Sequence, residues 1–145
     1  MKRVFVDSSA WFAFVKAGDP NHAAVREALN RWEGRLVTSN FVFDEVVTLV
    51  GARMGHSSAV RVGEALLNPE VADLIPVTPE DEESAWQAFT RHKDKGWSYT
   101  DCTSFTLMRR LRLPAAVTMS NSSGFAVVYP AAASSFFASA TLCCR

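Results

Sequence analysis

Short apolar runs alternate along the chain with longer stretches in which apolar residues recur at helical spacing. The runs at 4–6, 36–37, 74–77, 115–118 and 125–128 predict five β-strands, because short continuous apolar segments are typical of buried strands. The stretches between them predict six helices. Strands and helices in alternation are typical of an α/β fold, in which helices cover a parallel sheet.

Each predicted helix begins at a residue whose side chain can cap the first turn. These residues are Ser8, Asp19, Ser39, Ser57, Thr78 and Ser98. The helix that follows Asp19 and Pro20 is expected to end at Gly34. Thr78 is followed by a proline and by Asp81, which is the pattern of a capping box. We therefore interpret the acidic run 80–83 as capping and solvated residues.

Length and composition favour one folded domain. The chain has 145 residues and is 48% hydrophobic, which excludes an intrinsically disordered protein. We predict a domain over 1–130 and an irregular tail, rich in Ala and Ser, over 131–145. The three cysteines, Cys102, Cys143 and Cys144, match neither a disulfide framework nor a zinc-ligand spacing.

The charges balance overall but are unevenly distributed. The net charge is zero, yet no acid follows Asp101 while four arginines do. Any nucleic-acid function must therefore rest on a local patch. No apolar stretch approaches the roughly 18 residues that span a membrane. We expect no membrane partner and a cytoplasmic location.

Three acids lie where a parallel sheet binds its ligands, beyond the carboxyl ends of the strands. Asp7 follows the first strand, Glu45 lies about two turns into the third helix, and Asp101 lies in the first turn of the last helix. Carboxylates brought together repel unless a cation balances them, and oxygen ligands favour Mg²⁺ or Mn²⁺ over zinc. Such an ion can activate water for attack on a phosphodiester.

Each acid also has a purely structural interpretation. Asp7 can be a turn residue, Glu45 an exposed helix residue, and Asp101 the acid of a capping box begun by Ser98. Phosphatases with an aspartyl nucleophile also carry an acid after the first strand. Their chemistry normally needs a second acid two residues later, where this chain has Ser9.

Three segments around these acids, VFVDSSAWFA, TSNFVFDEVVTLV and SYTDCTSFTLMRRLRL, resemble the successive acidic motifs of the PIN-domain family, in particular of VapC-type toxins. The resemblance extends over residues 3–128. It implies a three-layer α/β/α fold with a central, mainly parallel sheet. It further implies a metal-dependent endoribonuclease that acts on RNA as the toxin of a type II toxin–antitoxin pair. Such proteins are often homodimers and are held inactive by a small antitoxin protein.

The resemblance assigns catalytic and metal-binding roles to Asp7, Glu45 and Asp101, with Mg²⁺ or Mn²⁺ as cofactor. It makes Ser9 and Thr100 supporting hydroxyl residues of the site. Both hydroxyls can equally be ordinary helix-start residues.

Candidate RNA contacts are the basic residues near the end of the last helix, Arg109, Arg110 and Arg112. They can instead form a solvated helix end that complements the helix dipole. Trp97, just before the third motif, either stacks on a base or belongs to the core. The tryptophans at 11, 32 and 86 are expected in the core.

One position departs from the family pattern. The family usually has a further aspartate after the last buried strand, where this chain has Ser120, and the interval to Gly124 is about three residues short. Asn121 is the nearest neutral oxygen ligand. Metal binding and activity are therefore expected to be reduced. The competing hypothesis is a catalytically impaired PIN scaffold that binds a partner.

The early aromatic stretch offers a possible partner surface. Trp11, Phe12 and Phe14, with Phe41 and Phe43, are more bulky apolar residues than a small core readily hides. A second copy or an antitoxin segment can cover some of them. The alternative is that all of them are internal.

Overall fold

The computed structural model describes residues 2–120 and 124–128, and within them the predicted strands and helices are present. The strands are β1 (Arg3–Val6), β2 (Arg35–Ser39), β3 (Asp73–Ile75), β4 (Ala116–Ser120) and β5 (Gly124–Val128). The helices are α1 (Ser8–Val15), α2 (His22–Arg31), α3 (Asn40–Met54), α4 (His56–Leu67), α5 (Pro79–Arg91) and α6 (Tyr99–Leu111), with a 3₁₀ turn at Lys93–Lys95. The predicted tail 131–145 lies outside the described residues.

The five strands form one sheet in the order β3-β2-β1-β4-β5. The first four are mutually parallel, and β5 is antiparallel to β4. Only three residues separate β4 from β5, which is too short for the crossover that a parallel pair needs. The successive residues Val4, Phe5 and Val6 of β1 are all buried. Because neighbouring side chains of a strand point to opposite faces, both faces of the sheet are covered.

Three of the six predicted helix caps are confirmed. The side chains of Ser39, Thr78 and Ser98 each accept a hydrogen bond from a backbone N–H of the first turn. Thr78 and Ser98 belong to complete capping boxes, whose acids are Asp81 and Asp101. Local sequence is sufficient here because cap and acid are only three residues apart.

The other three caps are wrong, each by one or two residues. Helix α1 has Asp7 as its N-cap rather than Ser8, and α2 has Asn21 rather than Asp19. Helix α4 follows directly on Gly55, whose φ of +90° turns the chain between α3 and α4, so Ser57 lies inside the first turn. Helix α2 also ends before Trp32 rather than at Gly34.

The tryptophan predictions are partly wrong. Trp97 is only 5% exposed and packs against His92 and Phe105, so it is a core residue and not a platform for a base. Trp86, expected in the core, is 58% exposed. Trp86 lies on α5, where sequence spacing alone does not say which face of the helix its neighbours will cover, and Trp97 lies in the loop before α6.

The early aromatic stretch is largely internal. Trp11 and Phe12 are buried, and Phe14, Phe41 and Phe43 are half-buried against the main core. The core alternative therefore holds for the first two residues. No helix within the described ranges is long and apolar enough to cross a membrane.

Candidate active site

Asp7 lies at the carboxyl end of β1, where the backbone N–H of Asp7 donates to Val117 O at 3.0 Å. Two hydroxyls donate to Oδ2 of its carboxylate: Ser9 Oγ at 2.8 Å and Thr118 Oγ1 at 3.1 Å. Ser9 also accepts a hydrogen bond from the N–H of Met119 at 3.1 Å. The Asp7 side chain is therefore positioned by both α1 and β4.

Glu45 reaches the same region from α3. The hydroxyl of Ser8 donates to Oε2 of Glu45, and it lies 3.4 Å from Oδ1 of Asp7. Ser8 thus bridges the carboxylates of Asp7 and Glu45, which are 38 positions apart in the chain. The sequence predicts Ser8 only as a cap, and its neighbours in the sequence give no signal for its contact with Glu45.

Asp101 is the acid of a capping box and also lies near the other two acids. Its Oδ2 accepts a hydrogen bond from the Ser98 N–H at 2.8 Å and so completes the capping box of α6. The pKa of Asp101 is raised to about 6. Burial is the largest cause, the nearby charges of Asp7 and Glu45 add to it, and the hydrogen bonds from Ser98 oppose it. Asp101 therefore lies close enough to both other acids to sense their charge.

The three carboxylates are neighbours, but their oxygens do not surround one point. Among the described residues, no three His, Cys, Asp or Glu side chains form a ready-made set of metal ligands. Each carboxylate instead accepts hydrogen bonds from its own donors. Asp7 accepts from Ser9 and Thr118, Glu45 accepts from Ser8, and Asp101 accepts from the N–H of Ser98. The expected convergence on one ion stays a prediction that needs side-chain rotation.

The donor chemistry of this cluster fits a divalent cation. No ion pair in residues 2–120 and 124–128 involves Asp7, Glu45 or Asp101, so no lysine or arginine there balances their charge. The cluster offers carboxylate and hydroxyl oxygens, which are ligands of Mg²⁺ and Mn²⁺.

Two further residues, Thr100 and Ser120, are the other candidate supporting residues, and each lies within two positions of a cluster residue along the chain. Thr100 is half-buried and precedes Asp101 in the first turn of α6, where its carbonyl accepts from Thr103 Oγ1 at 2.7 Å. Ser120 ends β4, with its backbone opposite Gly124 of β5. Ser120 follows Thr118 by two residues, and Thr118 donates a hydrogen bond to Asp7. The end of β4 therefore lies beside the acids.

The three candidate arginines differ in what they contact. Arg110 is used inside the protein: its Nη2 lies 2.8 Å from Oδ2 of Asp81, and it also donates to Pro76 O at 3.2 Å. Arg109 is exposed at the end of α6. Arg112 is the exposed C-cap residue, in the left-handed region at a φ of 51°.

Known proteins match this chain over most of its length. The PIN domain model matches residues 4–125. The 23S rRNA-specific endonuclease VapC20 of Mycobacterium tuberculosis is 36% identical over 107 residues, which cover 74% of this chain and 81% of that protein. The VapC ribonuclease of Archaeoglobus fulgidus is 30% identical over 113 residues, with 74% and 71% covered.

The fold is similar to that of a solved relative. A crystal structure of Mycobacterium tuberculosis VapC20, described as a toxin that cleaves the sarcin-ricin loop, aligns with a TM-score of 0.78 at 33% identity. The alignment covers 88% of this chain and 99% of that structure. The predicted resemblance and the predicted three-layer fold are thereby confirmed. The chain belongs to the PIN domain family, and within that family to the VapC proteins.

Proposed function

We propose that this protein is a metal-dependent endoribonuclease that hydrolyses RNA phosphodiester bonds as the toxin of a type II toxin–antitoxin pair. The observation that carries the proposal is the cluster of Asp7, Glu45 and Asp101, in which the Ser8 hydroxyl contacts the first two carboxylates and no lysine or arginine of the described chain pairs with any of the three. The names of the VapC20 and Archaeoglobus relatives, an endonuclease and a ribonuclease, support it.

Asp7, Glu45 and Asp101 would hold Mg²⁺ or Mn²⁺, which supplies an activated water and balances charge on the phosphate. Ser9 and Thr118 orient the carboxylate of Asp7, and Ser8 orients that of Glu45. Asp101 must lose its proton to act as a ligand, and its pKa of about 6 places that step just below neutral pH. Ser8, Ser9 and Thr118 are positioning residues, because their hydroxyls touch the acids and not the reacting atoms.

The exposed Arg109 and Arg112 would contact the RNA backbone at the far end of α6, eight and eleven residues beyond Asp101 or about 12 to 16 Å along the helix. That end of α6 lies at the edge of the sheet opposite Asp7, because Leu111 O accepts a hydrogen bond from Arg3 at the start of β1. Arg110 contributes charge near the same surface, but its guanidinium is held by Asp81. The proposed partners are an RNA substrate, a small antitoxin protein and a second copy of the chain, in the cytoplasm.

A second candidate function is a catalytically impaired PIN scaffold that binds a partner. The observation that favours it is the absence of any carboxylate after Asp101 in the sequence, with Ser120 where the family usually has an aspartate. With fewer carboxylates near the ion, we expect weaker metal binding and slower cleavage.

The test is cleavage of single-stranded RNA by the purified protein, with Mg²⁺, with Mn²⁺ and with EDTA. We expect slow cleavage that requires metal and that Asp7→Asn abolishes. Asp44→Asn is the matched control, since Asp44 is an exposed acid one residue before Glu45. Cleavage that persists in Asp7→Asn excludes this site. No cleavage by the native chain with either metal favours the scaffold.

A further inference from the structure

Helices α1 and α3 run side by side in the same direction away from the acidic cluster. At one end Ser8 of α1 donates to Glu45 of α3. Farther along, the guanidinium carbon of Arg53 on α3 lies 5.7 Å from the ring centroid of Phe12 on α1. These two contacts fix the relative direction of the helices.

A second cation lies over the same ring. Lys16 Nζ, from the C-cap residue of α1, is 5.6 Å from the centroid of Phe12. Phe12 itself is 8% exposed, Lys16 is half-buried and Arg53 is exposed. An aromatic face attracts cations and restricts their side chains, while their charged ends stay accessible to water. We call Lys16 and Arg53 the basic pair.

The charges of the basic pair have no ion-pair partner in the described part of the chain. No carboxylate in residues 2–120 and 124–128 forms an ion pair with Lys16 or Arg53. No aspartate or glutamate occurs in the rest of the sequence. An anionic ligand would supply the opposite charge that the described chain does not place beside Lys16 and Arg53.

The separation from the acidic cluster suits one flanking nucleotide or two. Phe12 lies four residues beyond Ser8, and Arg53 lies eight residues beyond Glu45. At about 1.5 Å per residue, the basic pair is displaced by about 6 to 12 Å along the helices. We propose that Lys16 and Arg53 form a phosphate subsite that binds the RNA backbone next to the bond cleaved at the acidic cluster. This subsite rests on the proposed ribonuclease function.

The test is the salt dependence of RNA binding. A fluorescent single-stranded RNA is titrated in an Asp7→Asn background, which blocks cleavage, over a range of KCl concentrations. Lys16→Gln and Arg53→Gln should each lower affinity roughly fivefold near 0.1 M salt and reduce the slope of log K against log salt by about 0.7. Arg53→Lys, which keeps the charge, should keep the slope. Arg61→Gln, an exposed arginine on α4, is the control and should change neither quantity.

The outcomes separate the subsite from the ribonuclease proposal. If the native chain cleaves RNA but both Gln variants keep the native slope, the subsite is excluded and the ribonuclease proposal stands. If the variants lose slope while the native chain does not cleave, the subsite is supported as an RNA contact and the ribonuclease proposal fails. An acidic peptide is titrated as a second probe. Gln variants that lose peptide binding but keep RNA binding contradict the subsite and identify a protein ligand. Unchanged thermal melting of the variants verifies their folding.

Discussion

Arg110 and Asp81 form an ion pair between α6 and α5, in which Nη2 of the arginine lies 2.8 Å from Oδ2 of the aspartate. The Asp81 side chain is 3% exposed and that of Arg110 is 38% exposed. Burial alone would raise the pKa of Asp81, but hydrogen bonds from Arg110 and Thr78 outweigh burial and lower it. The pair therefore holds the helix that carries Asp101 against its neighbour.

Removing Arg110 should destabilise the fold. Arg110→Gln leaves the buried Asp81 carboxylate without its cation, and we expect a loss of about 2 kcal/mol in the free energy of unfolding. This is less than for a fully buried pair, because water screens the exposed part of Arg110. Urea unfolding at neutral pH measures it. Arg109→Gln, an exposed neighbour, should change stability by less than about 0.5 kcal/mol. Equal effects of the two variants would contradict a structural role for Arg110.

Asp101 should make the metal-free protein less stable as pH rises. Its folded pKa of about 6 lies above the value of about 3.9 in an unfolded chain. Ionisation therefore costs the folded state more than the unfolded state. The penalty is absent below pH 4, grows between about pH 4 and 6, and is complete above that range.

Asp101→Asn should remove this penalty and keep the cap, because the amide oxygen can still accept from the Ser98 N–H. Stability at pH 7 should rise by up to about 3 kcal/mol, and its decrease between about pH 4 and 6 should be smaller. Chemical denaturation at several pH values measures both effects. Asp94→Asn changes an acid that is 69% exposed and should leave the pH profile as it is. If Asp101→Asn has the same dependence of stability on pH as the native chain, the Asp101 carboxyl group does not cause the decrease in stability.

Metal should stabilise the native chain through Asp7. Mn²⁺ bound to the folded state alone raises the melting temperature, whereas Asp7→Asn should lower repulsion in the metal-free protein and remove the effect of Mn²⁺. Thermal melts with and without Mn²⁺ compare the native chain, Asp7→Asn and the control Asp44→Asn. An unchanged melting temperature of Asp7→Asn in both conditions would count against a shared site.

Restoring the family acid should improve the site. Ser120 ends β4, two residues after the Thr118 that touches Asp7, so Ser120→Asp should add a carboxylate near the cluster and tighten Mn²⁺ binding. The gain can be partial, because only three residues join this position to Gly124 of β5. Mn²⁺ titration and RNA cleavage are measured on both proteins. Vigorous cleavage by the native chain, unaffected by Ser120→Asp, would show that a fourth acid is not needed.

Local patterns in the sequence determined the elements and much of their order. Helix caps such as Thr78 with Asp81 involve residues three apart, and the apolar runs of the strands are continuous, so both are visible without a structure. The alternation of strands and helices then predicts the parallel part of the sheet. The same topology predicts that Asp7, Glu45 and Asp101 lie near one another, because parallel sheets gather the carboxyl ends of their strands at one edge.

Only the tertiary structure decided what each of these side chains touches. Ser8 contacts Glu45 across 37 residues, Arg110 contacts Asp81 across 29, and Thr118 contacts Asp7 across 111. Such pairs depend on which helix faces meet and on strand register. The spacing of apolar residues along the chain shows that one face of a helix or strand is apolar, but it does not show which element packs against that face.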